Sequence, residues 1–493
     1  MQTTDNTSTT LVPLPGQDLF AFGDSLSDIG RLFTMTQGQI PPSPYFGGRS
    51  SNGRLAVEFL ADQLGLSHSQ AVNFALIGAL TGTTNSSSDD LNIDLGGLQD
   101  QIEQFAAEAS SLGADANDMY FVWAGANDFL SLIETPTTDI TSVVTTAVTN
   151  IVTAVSTLAT LGAKNIVVAQ LPNLGLVPFS LQSGLKEAIT QLTIAFNTAL
   201  ANNLTTLESR LGGGINVILT DLFATSTAIA ADPDAFGFDN ITDAYLNGLT
   251  PVDDTIDPNT YFFWDRGHPT TAVHKIFSET FYDSIITAIT DSLTKLGNAD
   301  NNGLIGFAGD DIFKGRKGDD QLVGNGGDDD LSGNGGSDDL EGGAGSDRLK
   351  GGGSNDTLTG GRDSDTLLGQ GGTDTLIGVD PTSDTPGQGE IDLLTGGPGP
   401  DTFVLGNETI HFYDDGRSNR RGFKDFAVIT DLRAKDTIQL NGEINDYIVR
   451  QSPSEQYPGT GIFRLETGKK ELIGIIADQT DISLDATNFS FAA

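Results

Sequence analysis

From Gly306 to Val404 the chain keeps a nine-residue period through eleven units. The first position is Gly in every unit, from Gly306 to Gly396. The sixth is Asp at 311, 320, 329, 338, 347, 356, 365, 374, 392 and 401, and the eighth is Phe313, Leu322 through Leu376, Leu394 and Phe403. Only the unit at Gly378 breaks the pattern, with Ser383 and Thr385 in those places. A disordered Gly/Asp-rich linker would account for the composition but not for a phase held this long. One large apolar residue per unit cannot build a core alone, so the units must stack into a solenoid with those residues inside.

The unit resembles the RTX calcium repeat, GGxGxDxUx, where U is a large apolar residue. Glycines allow turns with positive φ and expose carbonyl oxygens. The sixth-position aspartates, Asp311, Asp320, Asp329, Asp338, Asp347, Asp356, Asp365, Asp374, Asp392 and Asp401, add carboxylates, and stacked turns supply the several hard oxygens that Ca²⁺ takes. The resemblance implies a parallel β-roll with structural Ca²⁺. The segment holds 20 acidic and 6 basic residues. Without the metal it has too much like charge and too little apolar surface to fold, so calcium binding is expected to be coupled to folding.

The formal net charge of −41 excludes a phosphate-neutralising role on nucleic acid and an electrostatic hold on anionic lipid. With no cysteine, disulfide, zinc-thiolate and thiol chemistry are excluded. No apolar run approaches the ~20 residues of a membrane span. Residues 1–16 are rich in Thr, Ser and Pro, with neither the basic start nor the apolar core of a secretory leader, and are expected to be a disordered tail.

The other chemistry-bearing stretch is FAFGDSLSD, Phe20 to Asp28. A short apolar run, Leu19–Phe22, reads as a buried strand. It ends at Gly23, and then come Asp24 and the hydroxyl of Ser25. Further strands are expected at Ala71–Leu76, Asp118–Ala124, Asn165–Leu171 and Ile215–Leu219, and helices at Leu55–Leu64, Asp139–Leu161, Leu185–Glu208 and Thr270–Leu293. This alternation predicts an α/β unit with a parallel sheet, helices on both faces, and its site beyond the carboxyl ends of the strands.

Asp265-Arg266-Gly267-His268-Pro269 precedes the last helix. A carboxylate three residues before a histidine can hold one ring nitrogen and leave the other to take a proton from a hydroxyl. Of the four histidines, His68 and His411 read as surface residues and His274 as a packing residue. Gly78 could offer a backbone N–H, and Asn127 its amide, to an oxyanion. The blocks at Gly23–Leu26, Gly78, Gly125–Asp128 and Asp265–His268 resemble those of the GDSL esterase/lipase family, the SGNH hydrolases. The resemblance covers about Gln17 to Leu296. It implies a flavodoxin-like three-layer fold, Ser25 as nucleophile, His268 as base and Asp265 as its partner. It further implies an oxyanion hole of the Ser25 N–H, the Gly78 N–H and the Asn127 side chain. Ile77 stands where related members often have a second Gly.

The expected organisation is a tail at 1–16, a hydrolase domain at 17–297, a calcium-binding β-roll at 298–404, and a C-terminal β region at 405–493 resembling the export region of RTX proteins that use a type I secretion apparatus. The reading is a secreted lipase- or phospholipase-type serine esterase acting on an ester or lipid, with calcium confined to the repeats and no catalytic cofactor. A glycan O-acetylesterase or acyltransferase on the same site remains open, as does a non-enzymatic calcium-dependent surface protein.

Overall fold

The computed structural model describes residues 18–134, 139–212, 214–414, 424–466, 469–480, 482–484 and 487–492; the tail expected at 1–16 lies outside them. The chain divides into two compact units, Pro15–Ile285 and Ile286–Ala493. The division falls before the boundary expected after residue 297.

In the first unit the main elements are β1 (Leu19–Gly23), α1 (Ala56–Gln63), α2 (Leu98–Leu112), β2 (Met119–Trp123), α3 (Ala126–Glu134), α4 (Ile140–Thr160), β3 (Asn165–Ala169), α5 (Lys186–Leu211), β4 (Asn216–Thr220), α6 (Leu222–Ala231) and α7 (Thr271–Ala288). The strands form a parallel sheet in the order β1-β2-β3-β4. Side chains alternate between its faces. Phe20, Phe22, Tyr120, Val122, Ile166 and Val168 pack in one core with residues of α2, α4 and α5. Phe121 and Trp123 point the other way, onto Phe281 and Phe277 of α7. Both faces are covered, which is why the strands read as continuous apolar runs rather than alternating ones.

Ala71–Leu76 does not form the expected strand. The segment runs beside β1, with Ala21 N–H donating to Val72 O, and Phe74 and Leu76 N–H donating to Ala21 O and Gly23 O. Only one parallel bridge results, Ala21 to Asn73. The next bond of the ladder, from Gly23 N–H to Phe74 O, is not made: Gly23 N–H donates to Gln101 Oε1 and Phe74 O accepts from Arg31 Nη1. The segment keeps the flanking position on β1 and loses strand regularity.

Helix α4 is the one described helix long and apolar enough to cross a membrane. Its stripe of Ala147, Val148, Ile151, Ala154, Val155 and Leu158 is buried in the unit's core. Thr145, Thr149, Thr153 and Thr157 on its exposed face bond back to carbonyls four residues earlier.

In the second unit the nonapeptides wind into two parallel sheets, successive strands alternating between them. Residues eighteen apart are neighbours, as in Phe313 with Leu331 and Leu322 with Leu340. The eighth-position Leu and Phe residues from Phe313 to Phe403 lie inside, fully buried in one core to which both sheets contribute; Thr385, in the irregular unit, is exposed. The sheets continue past residue 404: Phe426–Ile429 pairs with Ile391–Leu394, and Thr437–Asn441 with Thr402–Val404. An antiparallel addition, Tyr447–Gln451, Gly459–Glu466 and Lys469–Ala477, completes one sheet. Phe426–Ile429 and Lys469–Ala477 are strands of the β region expected at 405–493.

Candidate active site and calcium sites

Ser25 sits in the turn that follows β1. Gly23 is there because the chain passes β2 too closely for a side chain: at φ 138°, a Cβ would lie 1.8 Å from Trp123 O. Gln101 of α2 clamps both backbone groups of this glycine, Oε1 accepting from Gly23 N–H and Nε2 donating to Gly23 O, each at 2.8 Å. Asp24 Oδ1 accepts from Leu26 N–H at 3.0 Å and shapes the serine turn. Asp24 Oδ2 is buried without a hydrogen-bond partner among the described residues. Burial pushes this carboxyl up to about 7, against the opposing pull of the Leu26 N–H and His268.

His268 Nε2 lies 2.9 Å from Ser25 Oγ. On the far side, His268 Nδ1 lies 2.9 and 2.8 Å from the two oxygens of Asp265. Asp265 Oδ1 also accepts from the backbone N–H groups of Gly267 and His268, both at 2.8 Å. Its Oδ2 accepts from the Tyr45 hydroxyl at 2.6 Å. Burial alone would raise Asp265, but the charge and hydrogen bond of His268, the Tyr45 hydroxyl and the Gly267 N–H outweigh it and hold the carboxyl at about 2. Burial likewise opposes the imidazolium of His268, and Asp265, with Asp24 adding to it, turns the net shift upward. This is the arrangement of an activated nucleophile, its base and the group that orients the base.

Asn127 opens α3, and its Nδ2 donates to Ala79 O at 2.9 Å, leaving its second N–H. The Gly78 loop is drawn to the serine turn by Asp28, whose Oδ2 accepts from Ile77 N–H at 3.1 Å. Asp128 holds the same loop from the α3 side, accepting from Thr81 N–H and Oγ1 at 3.0 and 2.7 Å. Gly78 has φ +81°, and a Cβ there would meet Asn85 Oδ1 at 2.6 Å. Gly78 and Asn127 thus come to the serine side of the sheet by ties that sequence spacing does not reveal.

A cavity of about 110 Å³ opens at Ser25 and His268, and Leu174, Val177, Phe262, Phe263 and Phe277 make its wall largely apolar. A wider groove of about 450 Å³ shares Asn127 and His268 and is bordered by Tyr45, Arg266 and Phe179.

The remaining histidines differ from expectation in two cases. His68 is half-buried, with Nδ1 at 2.7 Å from Leu19 O and Nε2 at 3.1 Å from Asn73 Nδ2. His411 is also half-buried, 2.9 Å from the Tyr447 hydroxyl. Both sit at places where the backbone or a neighbour offers a partner, which a single His in sequence does not show. His274 is fully buried beneath α1, Nδ1 facing Ala56 N–H at 3.3 Å. Burial, helped by His268, pushes it down to about 3, so it stays neutral.

In the roll the first-position glycines are needed for space rather than for a left-handed backbone. From Gly306 to Gly369, and at Gly396, a Cβ would lie 2.0–2.5 Å from Oδ2 of the aspartate five residues on. Positive φ falls on other positions, such as Asn325, Asn334 and Gly343. Each aspartate uses one oxygen in an internal ladder: Asp329 Oδ1 accepts from Asp311 N–H, Asp338 Oδ1 from Asp320 N–H, and Asp347 Oδ1 from Asp329 N–H, at 2.6–2.8 Å. The other oxygen is left over. Oδ2 of Asp320, Asp329, Asp338, Asp347, Asp356, Asp365, Asp374 and Asp401 is buried with no hydrogen-bond partner among the described residues. Carbonyls lie beside several of them, as Gly342 O does for Asp329 and Gly360 O for Asp347. No group of three or more acidic or histidine side chains that could by themselves hold a metal ion occurs among the described residues. A cation here would take one or two carboxylates and complete its shell with main-chain oxygens, as calcium does. The eight orphaned oxygens fit that ion. Asp311 and Asp392 differ, since their Oδ2 atoms accept from Phe307 N–H at 3.1 Å and from the Tyr413 hydroxyl at 2.6 Å.

The model of the family described as GDSL-like lipase/acylhydrolase matches residues 19–281. That of the RTX calcium-binding nonapeptide repeat matches residues 305–340 and 341–376. Among curated proteins, a GDSL esterase/lipase of Arabidopsis thaliana is 28% identical, the match covering 55% of this chain and 90% of that protein. A phosphatidylcholine-sterol acyltransferase of Aeromonas hydrophila is 27% identical over 53% of this chain and 89% of its own. A thermolabile hemolysin of Vibrio parahaemolyticus is 25% identical over 54% of this chain and 62% of its own.

Proposed function

The chain belongs to the GDSL-like lipase/acylhydrolase family, as a carboxylic ester hydrolase carrying RTX calcium-binding repeats, and from that premise we propose that it cleaves lipid esters through an acyl-enzyme on Ser25. The observation that carries the proposal is the 2.9 Å approach of His268 Nε2 to Ser25 Oγ, with Nδ1 held by Asp265.

Ser25 Oγ attacks the acyl carbonyl while His268 Nε2 takes its proton. Asp265 keeps the imidazole in the productive tautomer and stabilises the imidazolium. The negative charge on the former carbonyl oxygen is met by the Ser25 and Gly78 N–H groups and the free N–H of Asn127. His268 returns the proton to the departing alcohol, and a water, activated by the same imidazole, releases the acid. The apolar wall formed by Leu174, Val177, Phe262 and Phe277 supports an acyl chain as the occupant of the inner cavity, and the wider groove takes the alcohol portion. Calcium bound in the repeats supplies charge neutralisation to the roll, held by the orphaned aspartate oxygens and adjacent carbonyls. Secretion by a type I apparatus belongs to the same proposal, supported by the repeats and by the hemolysin among the relatives.

The experiment is release of p-nitrophenol from acetyl through palmitoyl esters, beside a phosphatidylcholine, with Ser25→Ala as the blank. Loss of the serine hydroxyl should lower kcat by about 10⁴-fold or more while the helical signal of the first unit is unchanged. Equal rates in the two proteins would end the reading. Transfer of the acyl group to an added alcohol in preference to water would redirect it to acyl transfer.

A further inference from the structure

The repeat pattern makes Asp392 a calcium ligand; the structure assigns it another partner. The aspartates fall into two rows along the roll. One runs Asp311, Asp329, Asp347, Asp365 and Asp392, linked by N–H to Oδ1 hydrogen bonds that include Asp347 to Asp365 and Asp365 to Asp392, each at 2.8 Å. The other runs Asp320, Asp338, Asp356, Asp374 and Asp401.

Within the first row each interior site repeats the same three parts. A first-position glycine leaves room, the aspartate Oδ2 points into that room, and a glycine carbonyl eighteen residues on closes it: Gly324 with Asp329 and Gly342 O, Gly342 with Asp347 and Gly360 O, Gly360 with Asp365 and Gly378 O. At Gly378 the set changes. Asp392 Oδ2 is still there, 2.5 Å from where a Cβ would stand, but the second oxygen is the Tyr413 hydroxyl, 2.2 Å from the same point. Ile377 pairs with Val404 in the neighbouring strand, so Leu405 follows where the next glycine of the row would be.

Tyr413 is built into that place. It is fully buried, its N–H donates to Pro386 O at 2.8 Å, and its ring packs on Gly387. Gly387 belongs to the stretch that follows the one defective repeat, where Ser383 and Thr385 replace the usual Asp and Leu. The defect lets the chain bulge out over Asp380–Gly389, without strand structure, and the tyrosine enters beneath it.

We infer that the Tyr413 hydroxyl stands where calcium sits in the other turns and closes this row at Asp392 without a metal. A phenol O–H satisfies one carboxylate oxygen with a single donor and fills the room that a coordination shell needs. The row therefore stops at Asp365, and Asp392 serves as an acceptor for Tyr413 and Asp365 rather than as a ligand.

The test is anomalous diffraction from crystals of the calcium-loaded full chain, together with bound-calcium counts by equilibrium dialysis. Peaks are expected beside Asp329, Asp347 and Asp365, and none within the ~2.3–2.6 Å of a calcium–oxygen bond from Asp392 Oδ2. In dialysis Asp392→Asn should keep the wild-type count, whereas Asp347→Asn, in the same row, should lose calcium. A peak between Asp392 and the Tyr413 oxygen would overturn the inference. So would a folded Asp392→Asn chain that loses as much calcium as Asp347→Asn. Should that variant fail to fold, the wild-type crystal decides alone.

Discussion

Two kinds of buried aspartate occur in this molecule, and they are opposites. Asp265 in the catalytic unit is surrounded by donors: an imidazole, a phenol and two backbone N–H groups. Its carboxyl is held at about 2 although burial pulls the other way. In the roll, Asp329 and Asp347 have one oxygen in the ladder and one with nothing, and burial, with neighbouring aspartates adding to it, raises them to about 8 and 7. The first charge is neutralised by the chain itself and needs no ion. The second has no counter-charge within the chain and needs a cation from outside. One unit is complete on its own residues; the other is complete only with its metal.

The sharpest break of that contrast is to exchange the consequences. Asp265→Asn keeps the shape of its site but leaves His268 in the wrong tautomer, and kcat should fall by about 10⁴-fold, with calcium affinity unchanged. Asp347→Asn should do the reverse, lowering calcium binding and the folded fraction of the roll while kcat per folded chain stays put. Steady-state hydrolysis and calcium titration on both variants check this, and a drop in kcat for Asp347→Asn would show that the two carboxylates are not independent.

Removing calcium comes next in size. In chelator the strand signal of residues 286–492 should be lost, and the helical signal of the first unit, with its own core of aromatic and aliphatic side chains, should remain. Circular dichroism read beside ester hydrolysis separates the two. Joint loss of helix and activity would mean that the catalytic unit depends on the roll.

A smaller effect is one of pH. In the unfolded chain the roll aspartates titrate near 3.8, and in the metal-free folded roll burial lifts Asp320 and Asp338 to about 6, Asp347 to about 7 and Asp329 to about 8. Between these limits the folded state holds more protons than the unfolded one. Stability from this source is therefore fully present below about pH 4 and is lost as pH rises through 6 to 8. In chelator, acidifying from pH 8 to 5 should increase the strand signal. With calcium present the ion competes with those protons, so its midpoint should move to lower concentration as pH rises. A calcium midpoint independent of pH would remove the buried aspartates from the account.

What the sequence made legible follows the same division. The roll was visible because its chemistry is periodic: Asp at every sixth position and Leu or Phe at every eighth survive as phase. Ser25, Asp265 and His268 were visible because each lies in a short local block. The parts that were hidden act across long gaps as single residues. Gln101 clamps Gly23 from 78 positions away, Tyr45 reaches Asp265 across 220, and Tyr413 finds Asp392 because an irregular repeat lets it in. A lone Tyr or Gln in a polar stretch has no spacing to mark it. The Ala71–Leu76 segment departs from a regular strand for the same reason: its apolar run is genuine, but the distant Gln101 and Arg31 side chains take the Gly23 N–H and Phe74 O that would continue the ladder.

Tyr45 gives the smallest effect and the finest probe of the contrast, since it is one of the donors that set Asp265 apart from the roll. Tyr45→Phe removes a hydroxyl at 2.6 Å from Asp265 Oδ2 and leaves the ring against Trp264. The carboxylate then keeps more of its charge for His268. Asp265 should titrate higher, and the imidazolium should be held more firmly, raising the pKa of His268 further. Because the base must be neutral to accept the Ser25 proton, the acid limb of the kcat/KM profile should move to higher pH. Activity on the plateau should fall by about tenfold, the low end of what one hydrogen bond to a charged group contributes. A purely structural role for Tyr45 would lower stability and leave that limb in place. A shift to lower pH would mean that the phenol supports the imidazolium instead of competing with it for the carboxylate.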